Sequence, residues 1–94
     1  MDDIRLKKIK FRAWHRGFRE ADLILGAFAD TRLDGLDGAE LDQFECLLEQ
    51  ADHDIYNWIT GRDPTPPEFD TEIMNKIKEF RYQYNALTDG PRGA

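Results

Sequence analysis

The sequence predicts an all-α fold: a small bundle of five helices in a single domain. Its 94 residues leave room for one domain with a modest core. Apolar residues recur three and four positions apart along most of the chain, which is the spacing of one helix face. No stretch alternates apolar and polar residues between turns, and valine, which favours strands, is absent.

The first two helices occupy the N-terminal third of the chain. The first has an apolar face formed by Ile4, Leu6, Ile9 and Trp14. Gly17 interrupts the pattern, and the second helix then has a face formed by Phe18, Ala21, Leu25 and Phe28. We expect a turn over residues 34–38, which contain two Asp-Gly pairs.

The third helix has the clearest start signal. Asp37 fits the N-cap and Glu40 completes a capping box three residues later. Leu36, just before the cap, can pack on Leu41 as a hydrophobic staple. The stripe that follows is formed by Leu41, Phe44, Leu48 and Ala51.

The fourth helix is short. Asp52 is its expected N-cap, and Gly61 is expected to end it in the left-handed conformation. The side chains predicted to face inward are Ile55, Trp58 and Ile59.

A proline-rich stretch separates this helix from the fifth. Residues 62–67 cannot continue a helix, and either Thr65 or Asp70 starts the next one. We expect the helical domain to span residues 1–87 and residues 88–94 to form a disordered tail. The apolar face of the fifth helix is formed by Ile73, Ile77, Phe80 and Tyr84.

The charge is unevenly distributed. The net charge is −6, yet residues 1–20 carry seven basic and three acidic side chains, and residues 21–61 carry one basic and ten acidic ones. Because an acidic body is repelled by phosphate backbones, we expect protein partners and no nucleic acid. No apolar run approaches the ~20 residues of a spanning helix, so we expect no membrane insertion. The N-terminus shows no secretory signal, and one cysteine, Cys46, allows no intrachain disulfide.

No pattern of residues predicts a metal site or a catalytic site. Residues 30–41 have some acids of a calcium-binding loop, but Arg32 and Leu41 occupy two of its ligand positions. The Asp-His-Asp run at residues 52–54 points around a helix rather than toward one ion. Cys46 lies within the third helix, with no histidine placed by sequence to activate it. No glycine-rich loop resembles a phosphate cradle.

One constellation remains, Arg16-Gly17-Phe18-Arg19-Glu20. Arg16 and Glu20 are four positions apart, so they share a face and can form an ion pair if this segment is helical. Gly17 lacks a side chain, so another backbone can approach closely there. By itself the string is also compatible with an ordinary surface ion pair beside a helix-breaking glycine.

Several segments, in order, resemble the SdhE family, the succinate dehydrogenase assembly factors that promote covalent attachment of FAD. The resemblance covers about residues 5–61 and, weakly, the last helix. His15 stands where the family often has a second arginine. The matching segments are the Arg16-Gly17-x-x-Glu20 signature with its Arg-rich lead-in, Asp22-Leu23-Ile24-Leu25 with Phe28, Phe44-Glu45-Cys46-Leu47-Leu48 with Asp52, and Trp58-Ile59.

The resemblance implies a five-helix bundle that acts as an assembly chaperone and is not an enzyme. Such proteins bind the flavoprotein subunit of succinate dehydrogenase and, in some bacteria, that of the related fumarate reductase. The client's own site joins a methyl carbon of the flavin to a client histidine, so FAD belongs to the client and no cofactor is bound stably here. We expect a monomer when free, in the bacterial cytoplasm or, alternatively, the mitochondrial matrix.

By the same resemblance, the expected partner-binding residues are Arg16, Gly17 and Glu20. We hypothesise that Arg16 reaches a client carboxylate or carbonyl and that Gly17 permits close backbone contact. Glu20 would orient Arg16 or pair with a client base. The secondary candidates, chosen for charge and proximity, are Arg12, His15 and Arg19.

Two other functions stay open. A general protein-interaction or regulatory module, such as an antitoxin-like protein, would share the fold and bind a partner without affecting its flavin content. An enzyme that transfers flavin itself would have to bind FAD as an isolated chain.

Overall fold

Every regular element in the described part of the chain is helical. The computed structural model describes the backbone of residues 3–89 and the side chains of residues 4–83. The all-α, five-helix prediction is confirmed for this part. The helices are α1 (Asp3–Trp14), α2 (Arg19–Arg32), α3 (Gly38–Leu48), α4 (Asp52–Thr60) and α5 (Glu72–Asp89), with short 3₁₀ turns at Leu33–Gly35 and Pro67–Phe69.

The C-terminal prediction is covered only in part. Helix α5 continues to Asp89, and residues 90–94 of the predicted tail lie outside the described residues, as does the side chain of Tyr84. None of the described helices is both long enough and apolar enough to cross a bilayer.

The core centres on a contact between three aromatic rings from three helices. Phe28 of α2 packs edge-to-face against Phe44 of α3 and Phe80 of α5, with ring centroids 5.5 and 5.6 Å apart. This is a favoured arrangement of aromatic pairs and adds to the gain from burial alone. Around it, all five helices contribute buried aliphatic side chains, including Ile9, Leu25, Leu47, Ile55 and Ile77.

The predicted start of α3 and the predicted end of α4 are confirmed. The Asp37 side chain accepts a 2.8 Å hydrogen bond from the Glu40 backbone N–H, and Glu40 Oε1 accepts a 3.1 Å bond from the Asp37 N–H. This is the reciprocal capping box. Gly61 ends α4 with φ of 82°, a conformation that glycine adopts without steric cost.

The predicted starts of α4 and α5 are wrong. Ala51 is the N-cap of α4, and Asp52 is its first helical residue, with its side chain directed elsewhere. Helix α5 begins at Glu72, and Thr71 Oγ1 accepts the Met74 N–H at 3.4 Å. The expected alternative, Thr65, instead accepts a 3.0 Å hydrogen bond from Lys78.

Two expected core positions also lie on the surface. Ile4 is 66% exposed, because α1 buries the face formed by Leu6, Ile9 and Ala13. Ala51 is exposed, since the chain has already left α3.

Helices α1 and α2 pack closely through Trp14 and Gly26. A Cβ atom at Gly26 would overlap the Trp14 indole, so the ring lies directly on the α2 backbone. The indole Nε1 donates a 3.2 Å hydrogen bond to Asp30, one turn further along α2. This contact explains a glycine within a helix, where it costs about 1 kcal/mol relative to alanine.

Gly26→Ala should therefore destabilise the protein despite the better helix propensity of alanine. We expect the free energy of unfolding to fall by about 1–3 kcal/mol, the usual range for overpacking. Urea denaturation measures this. The control is Gly38→Ala in α3, where an added Cβ meets nothing within 4 Å, and which should leave stability unchanged or raised. A stabilised Gly26→Ala would contradict the packing of the indole on α2.

A second link joins α3 to α5. Glu40 is only 9% exposed, and its Oε2 pairs with the Lys76 ammonium. The hydrogen bond from Lys76, aided by the backbone N–H of Asp37 and opposed by burial, lowers the pKa of the Glu40 carboxyl below its ordinary value of 4.5. The same bond raises the pKa of Lys76.

This pair predicts an acid-sensitive part of the stability. Because folding lowers the pKa of Glu40, its stabilising effect is complete above pH 4.5 and is lost as the pH falls through the folded value. Glu40→Gln keeps the Oε1 acceptor of the capping box and removes the charge. We expect Glu40→Gln to unfold at lower urea than the unsubstituted protein at neutral pH. The difference between the two midpoints should close at acid pH, and an unchanged difference would contradict the assignment.

Candidate functional site

The signature residues Arg16 and Gly17 lie outside any helix. They belong to the connection between α1 and α2, residues 15–18, and α2 starts only at Arg19. Phe18 precedes α2 with extended backbone angles, φ −153° and ψ 160°. The condition under which Arg16 and Glu20 would share one helical face is therefore not met, and the two residues form no intrahelical pair.

The Arg16 side chain is turned into the protein. Only 9% of it is exposed, and its Nε donates a 2.7 Å hydrogen bond to Asp52 Oδ1 in a salt bridge between the connection and α4. The other guanidinium nitrogens donate to two backbone carbonyls, that of Gln50 at 3.2 Å and that of Arg12 at 3.3 Å. A charge-assisted hydrogen bond of this kind is about twice as strong as a neutral one.

Gly17 is needed because the same carboxylate fills the space beside it. The Gly17 N–H donates to Asp52 Oδ2, and a Cβ at position 17 would overlap that oxygen. The room left by the missing side chain is therefore occupied by Asp52 of the same chain. The close approach expected at Gly17 exists, but it is made from inside the protein.

A second carboxylate holds the connection from the other side. Asp22, in the first turn of α2, accepts a 2.5 Å hydrogen bond from the Arg16 backbone N–H. Two successive N–H groups, at Arg16 and Gly17, are thus each bound by a carboxylate. These two bonds, one from the half-buried Arg16 amide and one from the exposed Gly17 amide, tie the connection between α1 and α2 to two different helices.

Aromatic contacts complete the anchoring. The Phe18 ring stacks on His53 of α4, with centroids 4.6 Å apart, and meets Tyr56 edge-on at 5.2 Å. On the other side, His15 stacks on Phe11 at 3.9 Å, and its Nδ1 lies 2.6 Å from the Phe11 carbonyl oxygen. A carbonyl can only accept, which assigns the hydrogen to Nδ1.

The outward side of this region carries the remaining candidates. His15, Arg19 and Glu20 are exposed and Arg12 is half-buried. Among the side chains of residues 4–83, none of these four forms an ion pair. Such groups can hydrogen-bond or ion-pair with another protein. In the same part of the chain, no three His, Cys, Asp or Glu side chains cluster as a metal site would.

A comparison of the sequence with known protein families shows which family the chain belongs to. A family model described as a flavinator of succinate dehydrogenase matches residues 7–81. The chain belongs to this family. The resemblance found in the sequence is thereby confirmed, and the matched region includes the connection, Asp22 and Asp52.

Individual relatives carry names that agree with the flavinator family. The chain is 36% identical over 75 residues to the FAD assembly factor SdhE of Acetobacter pasteurianus, covering 80% of this chain and 69% of that protein. It is 38% identical over 72 residues to the mitochondrial succinate dehydrogenase assembly factor 2 of Dictyostelium discoideum, covering 77% and 51%. It is 39% identical over 79 residues to the assembly factor 2-B of Drosophila ananassae, covering 82% and 48%.

The mitochondrial members of the family are longer proteins. The chain spans about half the length of the Dictyostelium and Drosophila relatives. Bacterial and mitochondrial members both occur, which matches the two compartments considered from the sequence.

The signature in this member of the family thus has two structural parts. Arg16 and Gly17 are bound internally by Asp52, and Glu20 is exposed at the start of α2. Sequence reasoning missed Asp52 because it was interpreted as a helix cap. The signal in the sequence that could have identified Asp52 was its place in the family pattern, which a capping role alone does not explain.

Asp52→Ala should destabilise the protein more than an ordinary surface change. It leaves the Arg16 guanidinium largely buried without its counter-ion and the Gly17 N–H without its acceptor, which we expect to cost roughly 2–4 kcal/mol of unfolding free energy. Denaturant titration measures the loss. The matched control is Asp54→Ala, an exposed acid in the same first turn of α4, for which at most about 0.5 kcal/mol is expected. Equal effects at both positions would contradict the role given to Asp52.

Proposed function

We propose that this chain is an assembly chaperone that binds the flavoprotein subunit of succinate dehydrogenase and promotes covalent attachment of FAD to a histidine of that subunit. The family and the names of its members support the coarse role. The observation that carries the proposal is the anchored α1–α2 connection, which fixes the backbone next to the exposed residues Glu20, Arg19 and His15.

Rigid anchoring favours binding because little order has to be gained when the partner arrives. Asp52 and Asp22 already fix the connection, so the exposed groups next to it are pre-organised. In the complex, Glu20 pairs with a basic or hydrogen-bond-donating group of the client, and Arg19 pairs with an acidic one. Arg16 supports these residues from inside the protein and does not contact the client, since its guanidinium is already bound to Asp52.

In this proposal the client carries the chemistry. FAD belongs to the flavoprotein subunit, and the bond between the flavin methyl carbon and the histidine forms in the client's own site. The chaperone favours the client conformation in which histidine and flavin are correctly placed. Restricting a reacting pair in this way can supply several kcal/mol of an otherwise slow step. The flavoprotein of fumarate reductase is a second client where that enzyme occurs.

The test is the rate of covalent flavin attachment to the purified client subunit, followed by in-gel flavin fluorescence. Glu20→Gln removes the exposed charge and touches no described internal contact. Loss of one charge-assisted hydrogen bond, worth about 1.5–3 kcal/mol, predicts a rate at least roughly tenfold lower. The unfolding midpoint of Glu20→Gln should stay unchanged.

The matched control is Glu68→Gln, the same change at an exposed position in the 3₁₀ turn before α5, which should promote flavin attachment normally. Normal attachment with Glu20→Gln would remove Glu20 from the interface. Attachment that is unaffected by the unsubstituted protein would refute the chaperone function and favour a general interaction module. Binding of FAD by the isolated chain would favour direct flavin transfer.

A further inference from the structure

Helix α1 exposes a strip of apolar and basic side chains on the face that points away from the core. We call it the α1 ridge; it consists of Ile4, Lys7, Lys8, Phe11 and Arg12, which line one shallow groove. Ile4 is 66% and Phe11 63% exposed, although both are large apolar side chains. Seven residues separate them, which is two helical turns, so they lie on one face about 10 Å apart.

The ridge is held in place from behind. The opposite face of α1 buries Leu6, Ile9 and Ala13 in the core, and the exposed side chains therefore stand on a fixed helix. Two exposed apolar side chains on one helix face, with charged residues beside them, offer another protein both apolar area to bury and charges to pair with.

The positive charges of the ridge form no ion pair with the acidic residues whose side chains are described. On the side of α1 that faces α3, Arg5 donates 2.6 Å hydrogen bonds to both Asp42 and Glu45. Within the part of the chain whose side chains are described, Lys7 and Lys8 form no ion pair, and neither does Arg12. In a protein of net charge −6, these cations form a local positive field.

The ridge is continuous with the candidate partner-binding surface. Phe11 stacks on His15 at 3.9 Å, and His15 begins the anchored connection that leads to Glu20. One partner can therefore contact both regions at the same time.

We propose that the α1 ridge binds an acidic segment of the client flavoprotein that also carries an apolar side chain. The apolar side chain packs on Phe11 and Ile4, and the segment's carboxylates pair with Lys7, Lys8 and Arg12. This inference rests on the proposed function and gives its partner a second contact of defined chemistry. A membrane fits the ridge less well, since two apolar side chains offer little to insert and the net negative charge opposes an anionic surface.

The test measures binding of the full chain to the purified flavoprotein subunit by titration calorimetry at low and high salt. Phe11→Ala should weaken binding at least roughly tenfold, as loss of a central aromatic anchor does. The double variant Lys7→Glu/Lys8→Glu should weaken binding at low salt by roughly tenfold and flatten the salt dependence of the affinity. Both variants change only exposed residues, so their unfolding midpoints should equal that of the unsubstituted protein. If Phe11→Ala nevertheless misfolds, the charge variant still tests the proposal.

The matched control is Tyr82→Ala, another exposed aromatic side chain, 77% accessible on α5, which should bind the subunit normally. The proposal is overturned if the ridge variants bind the subunit like the Tyr82→Ala control. It is also overturned if they lose only binding to phosphatidylglycerol vesicles, or only self-association in sedimentation. If the unsubstituted protein promotes flavin attachment while the ridge variants do so equally well, the ridge proposal alone fails. If the unsubstituted protein has no effect on flavin, the proposed function fails first.

Discussion

The carboxylate of Asp52 is the interaction on which the candidate site depends. One oxygen binds the Arg16 guanidinium and the other binds the Gly17 N–H, so a single side chain of α4 fixes the path between α1 and α2. Without it, a largely buried arginine would have no counter-ion, which is far more costly than the loss of a surface pair. The path by which the chain enters α2, where Glu20 is exposed, is set by this contact together with that of Asp22.

The family signature consequently combines two physical tasks in five residues. Its arginine and glycine build the support, and its glutamate lies on the side open to a partner. The same division is seen along α1, where one face enters the core and the other carries Lys7, Lys8 and Arg12 around the exposed Phe11. The effect of changing a signature residue therefore has a different physical origin at each position, and stability measurements separate these origins.

The local features of this fold could be predicted from the sequence, and the long-range contacts could not. Periodicity located all five helices, and short-range rules identified the Asp37–Glu40 capping box and the left-handed Gly61. The contact of Arg16 with Asp52 joins residues 36 positions apart, and Gly26 is explained only by an indole from another helix. Asp52 at a helix start was interpreted as a cap because that local role was available. The site residues were identified through the family resemblance, but their division into internal and exposed groups required the three-dimensional structure.

The separation between Arg16 and Asp52 has a consequence for recognition. A fragment that ends with α2 contains every residue of the signature. It lacks Asp52 and the Gln50 carbonyl, which hold the Arg16 side chain in place. The anchored connection thus forms only after α3 and α4 have been synthesised and have packed against the first two helices. A truncated or proteolysed chain that lacks α4 therefore carries the complete signature in its sequence, but it cannot hold Arg16 and Gly17 as the intact chain does.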